Sequence, residues 1–244
     1  MIVRSHAFEI ASMKDVVSEH AQDIQTWSGW LLDGKGDAQA ICRHVMGFSI
    51  WNACALLVLR REEAQAVRYF RQALAYGLIG LEPPAISIAD YSSVFTLAVC
   101  FGDRTEMDEI ARYPEDRYRD ANVIATEDVS GYFRAWKHLL LKDEVRAKRE
   151  MQEALTESPN AESRKDMEAF VSLLERDERA LRTHIDDRLN AHGKRYQQTP
   201  EDPEGIICFP VLMLCRVAID RGMVFGEWPY APLSLLPNYK PTVH

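Results

Sequence analysis

An excess of basic charge is absent from this chain: its 244 residues hold 29 Lys and Arg against 37 Asp and Glu, a formal net charge of −8. Nucleic acids and anionic membranes are gripped by basic patches that release counterions, so neither is an expected partner and a basic protein fits better. Cysteine is scarce as well. Cys42, Cys54, Cys100, Cys208 and Cys215 are odd in number, scattered among apolar neighbours and free of any Cys-x-x-Cys pair. That is how reduced core thiols look in a cytosolic protein, and it excludes a disulfide framework. The N-terminus MIVRSHAFEIASMKDVV lacks the long apolar segment and small-residue cleavage site of a signal peptide, so a cytoplasmic location is expected. No H-E-x-x-H, P-loop, G-x-S-x-G or dinucleotide fingerprint occurs. The chain is therefore expected to be no enzyme, with no catalytic residue, no metal ligand and no cofactor.

What the chain does have is one nearly continuous apolar stretch. In Ile206–Ile219, IICFPVLMLCRVAI, thirteen of fourteen residues are apolar or proline and only Arg216 is charged. A helix apolar on every side must be enclosed. Its length as a helix, about 21 Å, falls short of the ~30 Å hydrocarbon core, so the run predicts a central buried helix rather than a membrane span. The preceding Thr199-Pro200-Glu201-Asp202-Pro203-Glu204 offers a cap, prolines for a first turn and carboxylates for the helix dipole. Arg221-Gly222 marks its end.

The rest of the chain reads as amphipathic helices. Residues 12–32 open with Ser12 as cap and repeat Val16, His20, Ile24, Trp27 and Leu31; Asp37 caps a second helix to about Arg60, and residues 62–78 form a third, paired with it. Ser87–Phe101 predicts a buried helix, followed by a charged, exposed segment over residues 103–120 in which Pro114 stops a short helix. Residues 129–141 and a helix capped by Asp143 make a second pair; residues 162–175 and a helix capped by Asp177, with the stripe Leu181, Ile185, Leu189, His192 and Tyr196, make a third. YFRQAL and EMQEAL look like second helices of tetratricopeptide units, but the separation from Tyr69 to Glu150 is not close to about 34 residues or a multiple of it. The expected fold is all-α: one domain over 1–244, an irregular array of antiparallel helix hairpins around the buried C-terminal helix, with an N-terminal part to residue 160 and a C-terminal part from 161.

His192 lies on an apolar stripe and reads as a structural histidine, not a metal ligand. Trp27, Trp30, Trp51 and Trp136 read as core. Trp228, in Gly226-Glu227-Trp228-Pro229-Tyr230 beyond the buried helix, either packs the C-terminal segment or joins a binding surface. Acidic residues gather at Asp186 and Asp187, at Glu201, Asp202 and Glu204, and at Glu106, Asp108 and Glu109. Charge clusters are usually solvated surface, but several without a matching basic region fit an electrostatic docking face.

From Glu162 to Leu236 the chain resembles a family of bacterial polymorphic-toxin immunity proteins, the one numbered forty-nine. The features are MEAFVSLLERDERALRTHIDDRLNAH, then DPEG at Asp202–Gly205, an apolar helix ending in IDRG at Ile219–Gly222, and PYAPLSLL at Pro229–Leu236. The resemblance implies an all-helical cytosolic protein that binds and neutralises a cognate toxin. Asp186, Asp187, Glu201, Asp202, Glu204 and Trp228, with Glu106, Asp108 and Glu109 as the competing surface, are the expected contacts with a basic toxin such as a nuclease. The alternatives are a tetratricopeptide-like adaptor for an extended peptide and, more remotely, a metal-dependent hydrolase.

Overall fold

In the computed structural model, residues 7–59, 63–81, 87–115, 127–157, 161–197 and 203–240 are described. They form the helices α1 (Ala7–Leu32), α2 (Ala38–Val58), α3 (Glu63–Gly80), α4 (Ile88–Phe101), α5 (Arg104–Arg112), α6 (Glu127–Leu140), α7 (Glu144–Glu157), α8 (Ala161–Glu175), α9 (Glu178–Tyr196) and α10 (Phe209–Asp220), with 3-10 turns at Pro203–Ile206 and Leu233–Leu235. Among the described residues there is no strand, only an isolated bridge between Trp228 and Ala231. The protein is all-α.

Local chemistry explains where the helices change direction. Three connections use one device: a residue in the left-handed region ends the first helix, and an aspartate opens the next. Gly34 (φ 66), Lys142 (φ 66) and Arg176 (φ 57) supply the left-handed residue. The amides that follow reach back to the helix they leave, Lys35 to the Trp30 carbonyl, Asp143 to His138 and Asp177 to Ser172. Asp37, Asp143 and Asp177 then accept the amides of Ala40, Arg146 and Ala180 at 2.7, 3.1 and 2.9 Å. Each cap satisfies an amide that the first helical turn cannot. Ser87 does the same for α4. Asp103 and Glu106 make a reciprocal capping box at α5.

Consecutive helices pack on one another from α1 through α9. One apolar cluster runs from Met13 to Leu236, with a smaller one around Ile24, Ile41 and Val45 under α1. Helix α2 is long and apolar enough to cross a bilayer; 67% of its most apolar window is buried inside the fold, and it packs on α1 and α3.

Helix α10 is enclosed by α4, α8, α9 and the Leu233–Leu235 turn, and Val211 to Ala218 are all buried. It begins later than the apolar run does. Ile206 closes a 3-10 turn that starts at Pro203, the chain straightens at Ile207 and Cys208, and Pro210 occupies the first turn of α10. Proline has no amide to give to a preceding turn and its ring blocks one, so the helix can begin around Pro210 but not run through it. The expected cap at Thr199 and Pro200 lies outside the described residues. The C-terminal end is as expected: Gly222 (φ 85) follows Arg221, and the Met223 amide returns to the Ala218 carbonyl.

Three other expectations are corrected. Ser12 is no cap, because α1 starts at Ala7. Trp30 is 42% exposed, its ring edge-on to Trp27 rather than inside the core. The segment after Gly102 is less exposed than its charge implied, for α5 buries Met107, Ile110 and Ala111 on one face. Alternating charge hid a narrow apolar stripe; residues 116–120 lie outside the described set.

Leu212 and Leu214 are 0% and 2% exposed. Replacing either by alanine removes transfer free energy and leaves a cavity, so chemical denaturation is expected to register a loss of about 2–5 kcal/mol. A loss below about 1 kcal/mol at both positions would place α10 at the periphery.

Candidate binding face

The site is built along one side of α9. Its apolar stripe, Leu181, Ile185, Leu189, Gly193 and Tyr196, faces the core. A row of polar residues at steps of four, Glu178, Arg182 and Asp186, faces the irregular segment that follows α10. Arg182 pairs with Glu178 at 2.7 Å, donates to the Val224 carbonyl, and sits 5.0 Å from the centre of the Phe225 ring. One turn on, Asp186 accepts the indole N–H of Trp228 at 2.9 Å. Further along, His192 and Tyr196 meet the Tyr230 ring edge-on, at centroid distances of 5.4 and 5.8 Å. The segment from Val224 to Tyr230 is thus laid along α9 and pinned at three heights.

Close approach makes the last contact possible. A Cβ on Gly193 would stand 2.8 Å from the Tyr230 ring, and one on Gly205 would stand 2.2 Å from the Tyr196 ring. Tyr230 itself has φ 64, a backbone conformation uncommon for a bulky residue, and its carbonyl accepts the Cys208 amide at 2.6 Å. His192 donates from Nε2 to the Gly205 carbonyl at 2.8 Å, so it ties α9 to the 3-10 turn. It is half-buried, as a structural histidine should be. Burial holds its pKa below the ordinary value, the charges of Arg188 and Arg195 add to that, and the Gly205 bond opposes it.

The carboxylate of Glu227 accepts the amides of Leu233 and Ser234 at 2.9 and 3.1 Å, opening the Leu233–Leu235 turn. Between this turn, the start of α3 and the 3-10 turn at Pro203 lies a pocket of about 290 Å³ lined by Leu57, Glu63, Ile206, Glu227, Trp228, Pro229, Tyr230 and Pro232. Among the described residues that line it are two acids and no cation. A larger cleft, about 620 Å³, opens where α3, α5 and α10 meet, with Arg71, Arg104 and Arg216 among its walls. Its charges are spent on one another and on helix ends. Arg71 forks onto Glu106 at 2.5 and 3.0 Å and donates to the Phe101 carbonyl; Arg104 pairs with Asp108 and donates to the Leu140 carbonyl; Arg216 pairs with Asp220 at 3.1 Å and reaches the Cys100 carbonyl.

The sequence-predicted residues therefore divide. Trp228 and Asp186 are brought together, each holding the other. Asp187 is exposed on the same helix and Glu204 on the adjoining 3-10 turn, while Glu201 and Asp202 lie outside the described residues. In the competing group Glu106 is committed to a capping box and an ion pair, Asp108 is paired, and Glu109 is exposed. Glu63, Arg182, Glu227 and Tyr230 were not singled out from sequence. The four-residue spacing of Glu178, Arg182 and Asp186 was a visible signal; nothing local links Glu63 to Glu227. Among the described residues no group of three or more His, Cys, Asp or Glu is placed to hold a metal ion.

The family model for immunity protein 49 matches residues 47–235. The chain belongs to that family. The matched region starts within α2, well before the Glu162 at which the resemblance was read, and contains every described residue of the pocket and of the α9 row. Comparison with curated proteins and with solved structures gives no match.

Three substitutions have expected outcomes, two of them on this immunity-family face and one, in α1, away from it. Gly205→Ala must displace the Tyr196 ring and should cost about 1–3 kcal/mol in thermal or chemical unfolding. Gly29→Ala, in α1 with open space around it, should instead stabilise by about 0.5–1 kcal/mol. Because the folded pKa of His192 is lowered, the unfolded chain takes up the proton first as pH falls. Its contribution to stability is full above about pH 6.5 and declines below it. His192→Gln keeps a donor to Gly205, and the thermal midpoint of this variant should fall less than wild type between pH 7.5 and 5.5; an identical decline would assign it to other groups.

Proposed function

We propose that this immunity-family protein binds a cognate antibacterial toxin and neutralises it by stoichiometric association, without chemistry of its own. The observation that carries the reading is the family match across residues 47–235. The toxin is basic, a nuclease effector, and meets its inhibitor in the cytoplasm; nucleic acid and membrane are not partners. The net charge of −8 supports this, since an acidic surface accelerates encounter with a basic groove and occupies the place of phosphate. So do the five cysteines, all buried free thiols.

The docking face is the side of α9 that carries Asp187, together with Glu204 and the Trp228 segment. Aromatic side chains in fixed positions are typical of an interface centre, and the rim around them is polar. Asp186 belongs to the support of that face as much as to its charge, because it holds the indole of Trp228.

Co-expression with the toxin encoded beside it should restore growth, and the two purified proteins should form a one-to-one complex. No association at micromolar concentration would end the reading, and binding of an extended peptide in place of a folded toxin would favour an adaptor. Within the complex, Asp187→Lys should slow association and flatten its salt dependence while leaving the thermal midpoint in place.

A further inference from the structure

The pocket between Trp228, Glu63 and Glu227 has a composition that the packing of the loop does not require. Its floor is apolar, Leu57 and Ile206; its walls are Trp228, Tyr230 and two prolines; the charges among its described residues are two carboxylates from distant parts of the chain. Each acid has a local reason to exist. Glu63 sits in the first turn of α3, where a negative charge complements the helix dipole, and Glu227 receives two backbone amides. Neither reason brings them to one hollow. Glu63 is exposed, and Glu227, which accepts two amides and the Tyr239 hydroxyl, keeps its charge and part of its lone-pair capacity.

We infer that this pocket is the socket for an arginine side chain of the toxin, its guanidinium lying against Trp228 and facing Glu63 and Glu227. Size, charge and rigidity agree. At about 290 Å³ the pocket is just below the ~300–1,000 Å³ of small-molecule sites and suits one long side chain better than a cofactor. Guanidinium is planar, weakly hydrated, stacks on aromatic faces and forks onto carboxylates, which matches the lining better than a compact, strongly hydrated ammonium does. The walls are already fixed. Asp186 holds the indole edge, Arg182 holds Val224 and Phe225, Tyr230 is locked in its left-handed conformation by Cys208, His192 and Tyr196, and Pro229 and Pro232 stiffen the segment between. A pocket ordered before its guest arrives pays little entropy on binding. The socket deepens the reading of the protein as a toxin inhibitor and rests on it for the identity of the guest's owner, though not for the guest's chemistry.

Two measurements separate those dependencies. In the first, the full chain carries fluorinated tryptophan, the Trp228 resonance is assigned with Trp228→Phe, and N-acetyl-arginine amide is titrated in. A saturable shift of the Trp228 signal in the millimolar range is expected, weaker with N-acetyl-lysine amide and absent with the neutral N-acetyl-citrulline amide. Glu63→Gln, on the surface, and Glu227→Gln should each reduce it. Equal shifts from arginine and citrulline, or none from either, would overturn the socket whatever the toxin does. In the second, Glu63→Lys should weaken the complex with the cognate toxin at least tenfold, while the lost charge at the start of α3 lowers the thermal midpoint by only a few degrees and Glu63→Gln, with a smaller effect on the midpoint, weakens the complex in the same direction. A toxin that binds wild type and Glu63→Lys equally would overturn the socket and leave the inhibitor reading standing. A chain that binds no toxin yet selects arginine over citrulline would overturn the inhibitor reading and leave the socket.

Discussion

A helix with apolar side chains on every face has to be surrounded, and the enclosure of α10 is the constraint from which the C-terminal half of this protein follows. Helices α4, α8 and α9 and the turn at Leu233–Leu235 supply the walls. The chain leaving α10 must then return over its own helix to deliver that last wall, which fixes the course of Val224–Tyr230 along α9. Even the one charge in the buried part of α10 serves the enclosure. Arg216 is 4% exposed, and its guanidinium is spent on Asp220 and on the Cys100 carbonyl at the end of α4, where the helix has acceptors it cannot satisfy itself.

Acidic residues, though numerous, are not equivalent. One group opens helices: Asp37, Asp103, Asp143 and Asp177. A second holds arginines at helix junctions, as Glu106 and Asp108 do in the seam between α3, α5 and α10. A third is turned outward, including Asp187 and Glu109. Net charge is a property of all three, yet the third projects it most freely into solvent. Charge already balanced at short range projects little field, so on α5 Glu106 and Asp108 contribute less to the outer potential than Glu109 does.

Much of the fold was legible in the sequence because its signals are local. Asp37, Ser87, Asp143, Asp177 and the Arg221-Gly222 ending each act within four residues of themselves, and all mark the boundaries they were expected to mark. Errors arose where a local signal was overruled. Ser12 is a competent cap, but α1 continues through it to Ala7; Ile206 begins an apolar run, but Pro210 dictates where a helix within that run can start. The site was half legible. Trp228 stood out as an aromatic in irregular chain and Asp186 as an acid off the stripe, yet their bond joins residues on separate elements. Pairing Glu63 with Glu227 depends on the whole path of the chain between them, and no periodicity encodes that.

The three anchors of the Val224–Tyr230 segment face α9, whereas Glu63 and Pro229 line the pocket and take no part in those anchors. Support of the loop and lining of the pocket thereby fall largely to different residues. Changes at Arg182, Asp186, Gly193 or Gly205 strike the scaffold and cost the most stability, while changes at Glu63 or Pro229 leave all three anchors in place. The lining of the pocket can therefore be redrawn substitution by substitution, each intermediate still folded, without first dismantling its support.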